Sequence, residues 1–117
     1  MKTYFELHIT FTHRRQADAE AVVAGPMNWR FSAIAGDANL GPGVKLYATK
    51  QLSTRRYSRS GAVAELKAAA LRLNMLMLET TGVEPDIKRL KVEEVLFDTK
   101  SAQMRGDCGG ACPECTT

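Results

Sequence analysis

The order of hydrophobic periodicities along the chain constrains its fold more than any other feature. Residues 4–12 alternate between apolar and polar side chains with a period of two, which is typical of a strand covered on one face. Two kinds of segment follow it along the chain. Some alternate in the same way, and others have the spacing of apolar residues that is typical of an amphipathic helix. The predicted strands are residues 4–12, 28–35, 44–51 and 87–98, and the predicted helices are residues 14–24 and 61–81.

The helix boundaries are marked by local signals. Gly25-Pro26 ends the first helix, because glycine suits a C-cap and proline cannot continue a helix. Ser58 or Ser60 is the predicted N-cap of the second helix, and Gly82 ends it. That helix has the strongest periodic signal, carried by Val63, Leu66, Ala70, Leu73 and Met77.

The last predicted strand contains an irregular point. Its alternation changes phase near Glu93 and Glu94. A β-bulge places one extra residue in a strand and shifts the alternation in this way. We therefore expect a bulge at that point.

The element order, strand–helix–strand–strand–helix–strand, resembles the ferredoxin-like βαββαβ arrangement. It implies an α+β fold: a two-layer sandwich with a four-stranded antiparallel sheet in the order 4-1-3-2. Right-handed crossovers place both helices on one face of that sheet. Residues 1–98 are predicted to form this domain, and residues 99–117 are expected to be a flexible C-terminal tail that contains cysteines.

Composition limits the functional class only loosely. The chain has 117 residues and a formal net charge of +3, from 16 Lys+Arg against 13 Asp+Glu. This mild excess permits an acidic partner without requiring one. We find no signal-peptide pattern at the start and no apolar run long enough for a membrane span, so the expectation is a cytoplasmic protein with no membrane partner.

One face of the predicted sheet is left uncovered by the helices and is polar. We call it the open face. The alternation places Glu6 and Thr10 there with a set of candidate ligand-binding residues: His8, Arg30, Lys45, Tyr47 and Lys91. An aromatic ring can stack on a base and cations can neutralise phosphates, so this surface is interpreted as a platform for an anionic or nucleotide-like ligand. The alternatives are a solvated sheet face or one covered by a second copy of the chain in a homodimer.

A second candidate site is the basic segment, residues 53–61, which precedes the longer helix. Its candidate ligand-binding residues are Arg55, Arg56, Arg59 and Ser58, and Ser58 is also a candidate cap of that helix. Unpaired N–H groups at a helix N-terminus attract anions, so this segment is a candidate phosphate site. A solvated loop is the alternative reading.

No complete catalytic motif is present. His8-Ile9-Thr10 resembles one half of the signature of the 2H phosphoesterases, a strand-borne His-x-Thr. The second half is absent, so that activity is not predicted and no catalytic residue is assigned. A small enzyme that uses the open face is the third functional hypothesis.

The tail supplies the remaining candidate site. Cys108, Cys112 and Cys115 have C-x3-C-x2-C spacing, which resembles the cluster motif of radical-SAM enzymes. The barrel of those enzymes cannot be built from so short a chain. Zinc or an iron–sulfur cluster is the candidate cofactor here, with free thiols or a modified tail as alternatives.

Three functions are therefore compared. The first is a non-enzymatic binding module for a nucleotide, a phosphate or nucleic acid, which uses the basic segment and the open face. The second is a metal-binding or redox accessory protein that uses the cysteine tail. The third is the small enzyme already named.

Overall fold

A computed structural model describes residues 2–35 and 44–97. In chain order the elements are β1 (Lys2–Thr12), α1 (Gln16–Ala24), β2 (Arg30–Ala35), β3 (Val44–Ser53), α2 (Arg59–Thr81) and β4 (Asp86–Phe97). The strands form one antiparallel sheet in the order β2-β3-β1-β4, which confirms the predicted ferredoxin-like order. Neither helix of the described part is long and apolar enough to cross a membrane.

The hydrophobic core lies between the sheet and the helices. From β1 it takes the apolar residues of the alternating pattern, Phe5, Leu7, Ile9 and Phe11, all buried. From α2 it takes a stripe that recurs every three or four residues: Ala62, Leu66, Ala70, Leu73 and Met77. Both sets were expected to face inward from their periodicity, except that Ala62 takes the buried place predicted for Val63, which is half-buried.

The ends of α2 follow from its capping residues. The Ser58 side chain accepts a hydrogen bond from the Gly61 N–H at 3.1 Å, so Ser58 is the N-cap, and the helix begins at Arg59 rather than at Gly61. Gly82 ends the helix in the left-handed region at φ 77°, and its N–H donates to the Leu78 carbonyl.

The irregular point of β4 lies elsewhere than predicted. Glu93 and Glu94 pair regularly with β1, so the expected bulge at that point is wrong. The register instead shifts near Lys88, because Ile87 faces Phe11 while Arg89 faces Thr10. Glu94 interrupts the apolar pattern for a different reason: β4 is an edge strand, and this position on its helix side is exposed to solvent.

Candidate functional site

Cross-strand pairing arranges the polar residues of the open face in rows across the sheet. One row contains Arg30, Thr49, His8 and Lys91, in the order β2-β3-β1-β4, and the next contains Ser32, Tyr47, Thr10 and Arg89. Lys45, two residues before Tyr47, lies on the same face. The register thus brings together all five open-face candidates from the sequence; their binding role stays a prediction.

A cluster of two carboxylates and one imidazole lies beside the first row. His8 Nε2 is 3.0 Å from Glu6 Oε1 and 3.2 Å from Glu93 Oε1. The three ligand-type atoms all lie within 4.8 Å of one another. We call Glu6, His8 and Glu93 the sheet triad.

Each member of the sheet triad also contacts a polar residue that is not part of the triad. The Thr49 hydroxyl lies 3.4 Å from His8 Nδ1, and the Gln51 amide donates to Glu6 Oε2 at 3.4 Å. Lys91 Nζ lies 3.3 Å from Glu93 Oε2. In each side chain of the triad, the polar atom that points away from the cluster therefore has a partner as well. These contacts fix the orientation of the three side chains.

Glu6 is buried although it is a carboxylate, with 8% of its surface exposed. The hydrogen bond with His8 lowers the pKa of its carboxyl below the ordinary 4.5, and the hydrogen bond from Gln51 and the charges of His8 and Arg30 act in the same direction. Burial opposes them without reversing the shift. The carboxylate is thus kept charged by its neighbours.

Several cations of the open face form no ion pair with a described residue. Lys91 pairs with Glu93, whereas within residues 2–35 and 44–97 no ion pair is formed by Arg30, Lys45 or Arg89. Arg89 and Lys91 are two residues apart on one strand, so their side chains point to the same side. This edge of the face can accept an anion.

The basic segment and Lys45 lie at opposite ends of β3. The segment begins at Ser53, the last residue of β3, which pairs with Tyr4. Eight residues of strand separate Lys45 from Ser53, about 26 Å. Arg55, Arg56 and Arg59 are exposed, and Ser58 is engaged in capping α2. The structure therefore does not bring the basic segment together with Lys45.

Glu6 and His8 were both expected on the open face, but their cluster with Glu93 was not predicted from the sequence. The available signal was the repeated two-residue spacing, Glu6-x-His8 on one strand and Lys91-x-Glu93 on another. Only the β1–β4 register shows that these spacings meet.

A separate cavity of about 280 Å³ lies between α2 and the sheet, on the other side of the molecule from the open face. Its walls include the buried Trp29 and Met27 and the charged side chains of Lys50, Glu65 and Arg72. Sequence analysis did not assign a role to these residues.

Neither the cysteines of the tail nor similarity to known proteins indicates a function. Cys108, Cys112 and Cys115, with the zinc or iron–sulfur hypothesis, lie outside the described residues. No family model matches the chain, and no curated protein or solved structure is significantly similar to it. The geometry of the open face is therefore the feature from which a function can be inferred.

Proposed function

We propose that the protein is a binding module whose open face holds a small anionic ligand with a planar ring and a phosphate group. The observation that carries the proposal is the position of Thr10 between Tyr47 on β3 and Arg89 on β4. A ring can stack on tyrosine, and a guanidinium forms paired hydrogen bonds with phosphate. Two strand spacings, about 10 Å, separate the backbones that carry these two groups.

The charges around this position favour an anion. Arg30, Lys45, Arg89 and Lys91 contribute four positive charges to the face, against the carboxylates of Glu6, Glu93 and Asp86. Asp86 forms an ion pair with Lys88, so Glu6 and Glu93 are the two carboxylates left to consider. Both carboxylates are already hydrogen-bonded within the cluster. Arg30, Lys45 and Arg89 form no ion pair within the described residues, so these cations are the groups that can meet a phosphate.

Two buried hydroxyl groups on the open face support the same function. Thr10 and Thr49 are buried, with 9% and 8% of their surfaces exposed. Their hydroxyl groups can donate to phosphate or ribose oxygens at the level of the sheet. A ligand would then be held by stacking, charge and hydroxyl contacts together.

The test is titration of the full chain with adenosine 5′-monophosphate and with inorganic phosphate, in metal-free buffer, followed by amide NMR shifts. We expect shifts along the open face and an affinity that weakens as salt increases. Arg89→Gln should weaken binding of the nucleotide about tenfold or more, because hydrogen bonds to charged groups contribute about 1.5–3 kcal/mol.

A matched control removes one charge from the opposite layer. Lys67 is an exposed cation of α2, so Lys67→Gln should leave the affinity unchanged. Tyr47→Leu should weaken binding of the nucleotide and leave that of phosphate alone. Equal affinities in the Arg89→Gln and Lys67→Gln variants would refute the proposed function.

A further inference from the structure

The sheet triad has the spacing of a metal site. A zinc-like ion binds nitrogen and oxygen ligands at about 2.0–2.2 Å, which places neighbouring ligand atoms about 3–3.5 Å apart. His8 Nε2 is 3.0 Å from Glu6 Oε1 and 3.2 Å from Glu93 Oε1. All three ligand-type atoms lie within 4.8 Å of one another, so one ion can contact them together once the two carboxylate oxygens approach bonding distance.

The outer contacts of the triad are those that orient metal ligands. A histidine that binds metal through Nε2 donates its Nδ1–H to a second group, and ligating carboxylates are themselves hydrogen-bonded. Thr49 is in place at His8 Nδ1, Gln51 at Glu6 Oε2 and Lys91 at Glu93 Oε2. The atoms that point inward are thus left for the ion.

The charge of the triad also calls for a cation. Glu6 and Glu93 form a directly opposed pair across β1 and β4, and like charges in such a pair destabilise a sheet. With a neutral imidazole the three ligands carry two negative charges, which a divalent ion neutralises. Glu93 keeps 42% of its side chain exposed, so solvent or a ligand can complete the coordination from the open side.

We propose that Glu6, His8 and Glu93 bind one divalent transition-metal ion of the zinc class. An imidazole nitrogen beside two carboxylates favours zinc, cobalt or iron over magnesium or calcium, which prefer oxygen ligands alone. The proposal stands on the geometry of the sheet triad and does not depend on the anionic ligand. A bound ion would nevertheless add positive charge to the same face.

The test must separate the sheet from the cysteine tail, whose thiolates also bind zinc. We would use the full chain with the substitutions Cys108→Ser, Cys112→Ser and Cys115→Ser, and titrate it with Zn²⁺ by calorimetry and with Co²⁺ by visible absorption. The expected result is one equivalent bound, with a cobalt spectrum that lacks thiolate charge-transfer bands.

Two glutamates that are adjacent on β4 provide a matched pair of variants. Glu93→Gln removes a ligand and should weaken binding at least about tenfold, whereas Glu94→Gln alters the opposite face and should leave it unchanged. Glu93 is half-exposed, so the variant should fold, and thermal unfolding without metal checks this. His8→Gln should also abolish the cobalt spectrum.

Binding that disappears with the three cysteines would overturn the proposal, since the tail would then be the metal site. Equal affinity in the Glu93→Gln and Glu94→Gln variants would overturn it as well. Failure to bind nucleotide would refute the proposed function alone, because the metal titration contains no anionic ligand.

Discussion

Glu6 lies directly opposite Glu93 across the β1–β4 strand pair, with both carboxylates on the open face. The two like charges remain together because His8 Nε2 contacts an oxygen of each. Either a proton on the imidazole or a bound cation can supply the positive charge that this arrangement requires. The pair therefore links the stability of the sheet to the chemistry of its exposed face.

The first prediction concerns acid stability. The folded-state pKa of Glu6 is lowered, chiefly by the hydrogen bond with His8, so the unfolded chain takes up a proton at this residue first as the pH falls. The stability contributed by Glu6 is present above its ordinary pKa of 4.5 and is lost as the pH falls through the lower folded-state value. Glu6→Gln should therefore reduce the slope of unfolding free energy against pH below about 4.5.

Urea unfolding at a series of acidic pH values measures that slope. Glu94→Gln is the control, because it removes a carboxylate that lies outside the sheet triad. Parallel curves for the parent and the Glu6→Gln variant would contradict the assigned role of the His8 contact.

Some features of this site depend on local sequence alone, and others depend on how distant strands pair. The face of each residue could be predicted, because side chains alternate with a period of two whatever the pairing. The opposition of Glu6 and Glu93 could not, since it depends on the register between two strands that are distant in the chain. Sequence analysis placed the irregularity of β4 near Glu93, whereas the extra residue is Lys88.

Local features were easier to predict than pairing. The Ser58 cap involves a contact over three residues, and the stop at Gly82 involves one backbone conformation, so the sequence carries both signals directly. The separation of the basic segment from Lys45 is a property of the whole length of β3, which ends at Ser53, two residues later than expected.

The second prediction compares two leucines of α2. Leu73 is fully buried, whereas Leu71 is 65% exposed. Leu73→Ala should lower the unfolding free energy by about 2–5 kcal/mol, because it removes buried apolar contacts and leaves a cavity. Leu71→Ala should change it by less than about 0.5 kcal/mol. Chemical denaturation of both variants tests the core assignment, and similar losses would show that the burial pattern of α2 is wrong.

The third prediction concerns the end of α2. Gly82 has φ 77°, a left-handed conformation that costs a residue with a Cβ about 1–2 kcal/mol. Gly82→Ala should destabilise the protein by about that amount, although no atom lies within 4 Å of the added methyl group. Gly82→Asn should cost less, because asparagine tolerates this conformation. Thermal unfolding of the Gly82→Ala and Gly82→Asn variants measures the difference. An equal loss of stability in both would indicate a cause other than backbone strain.

The last prediction separates the basic segment from the open face. About 26 Å of strand lies between Lys45 and Ser53, and the segment continues from Ser53 towards the helix layer. A double variant, Arg55→Gln with Arg56→Gln, should therefore bind adenosine 5′-monophosphate as the parent does, within about twofold. A single-stranded oligonucleotide is long enough to contact both regions, so its affinity should fall, with a weaker dependence on salt. Fluorescence anisotropy with both labelled ligands makes the comparison. If the double variant lost as much affinity for the mononucleotide as for the oligonucleotide, the basic segment would have to reach over the open face. The two regions would then form one site.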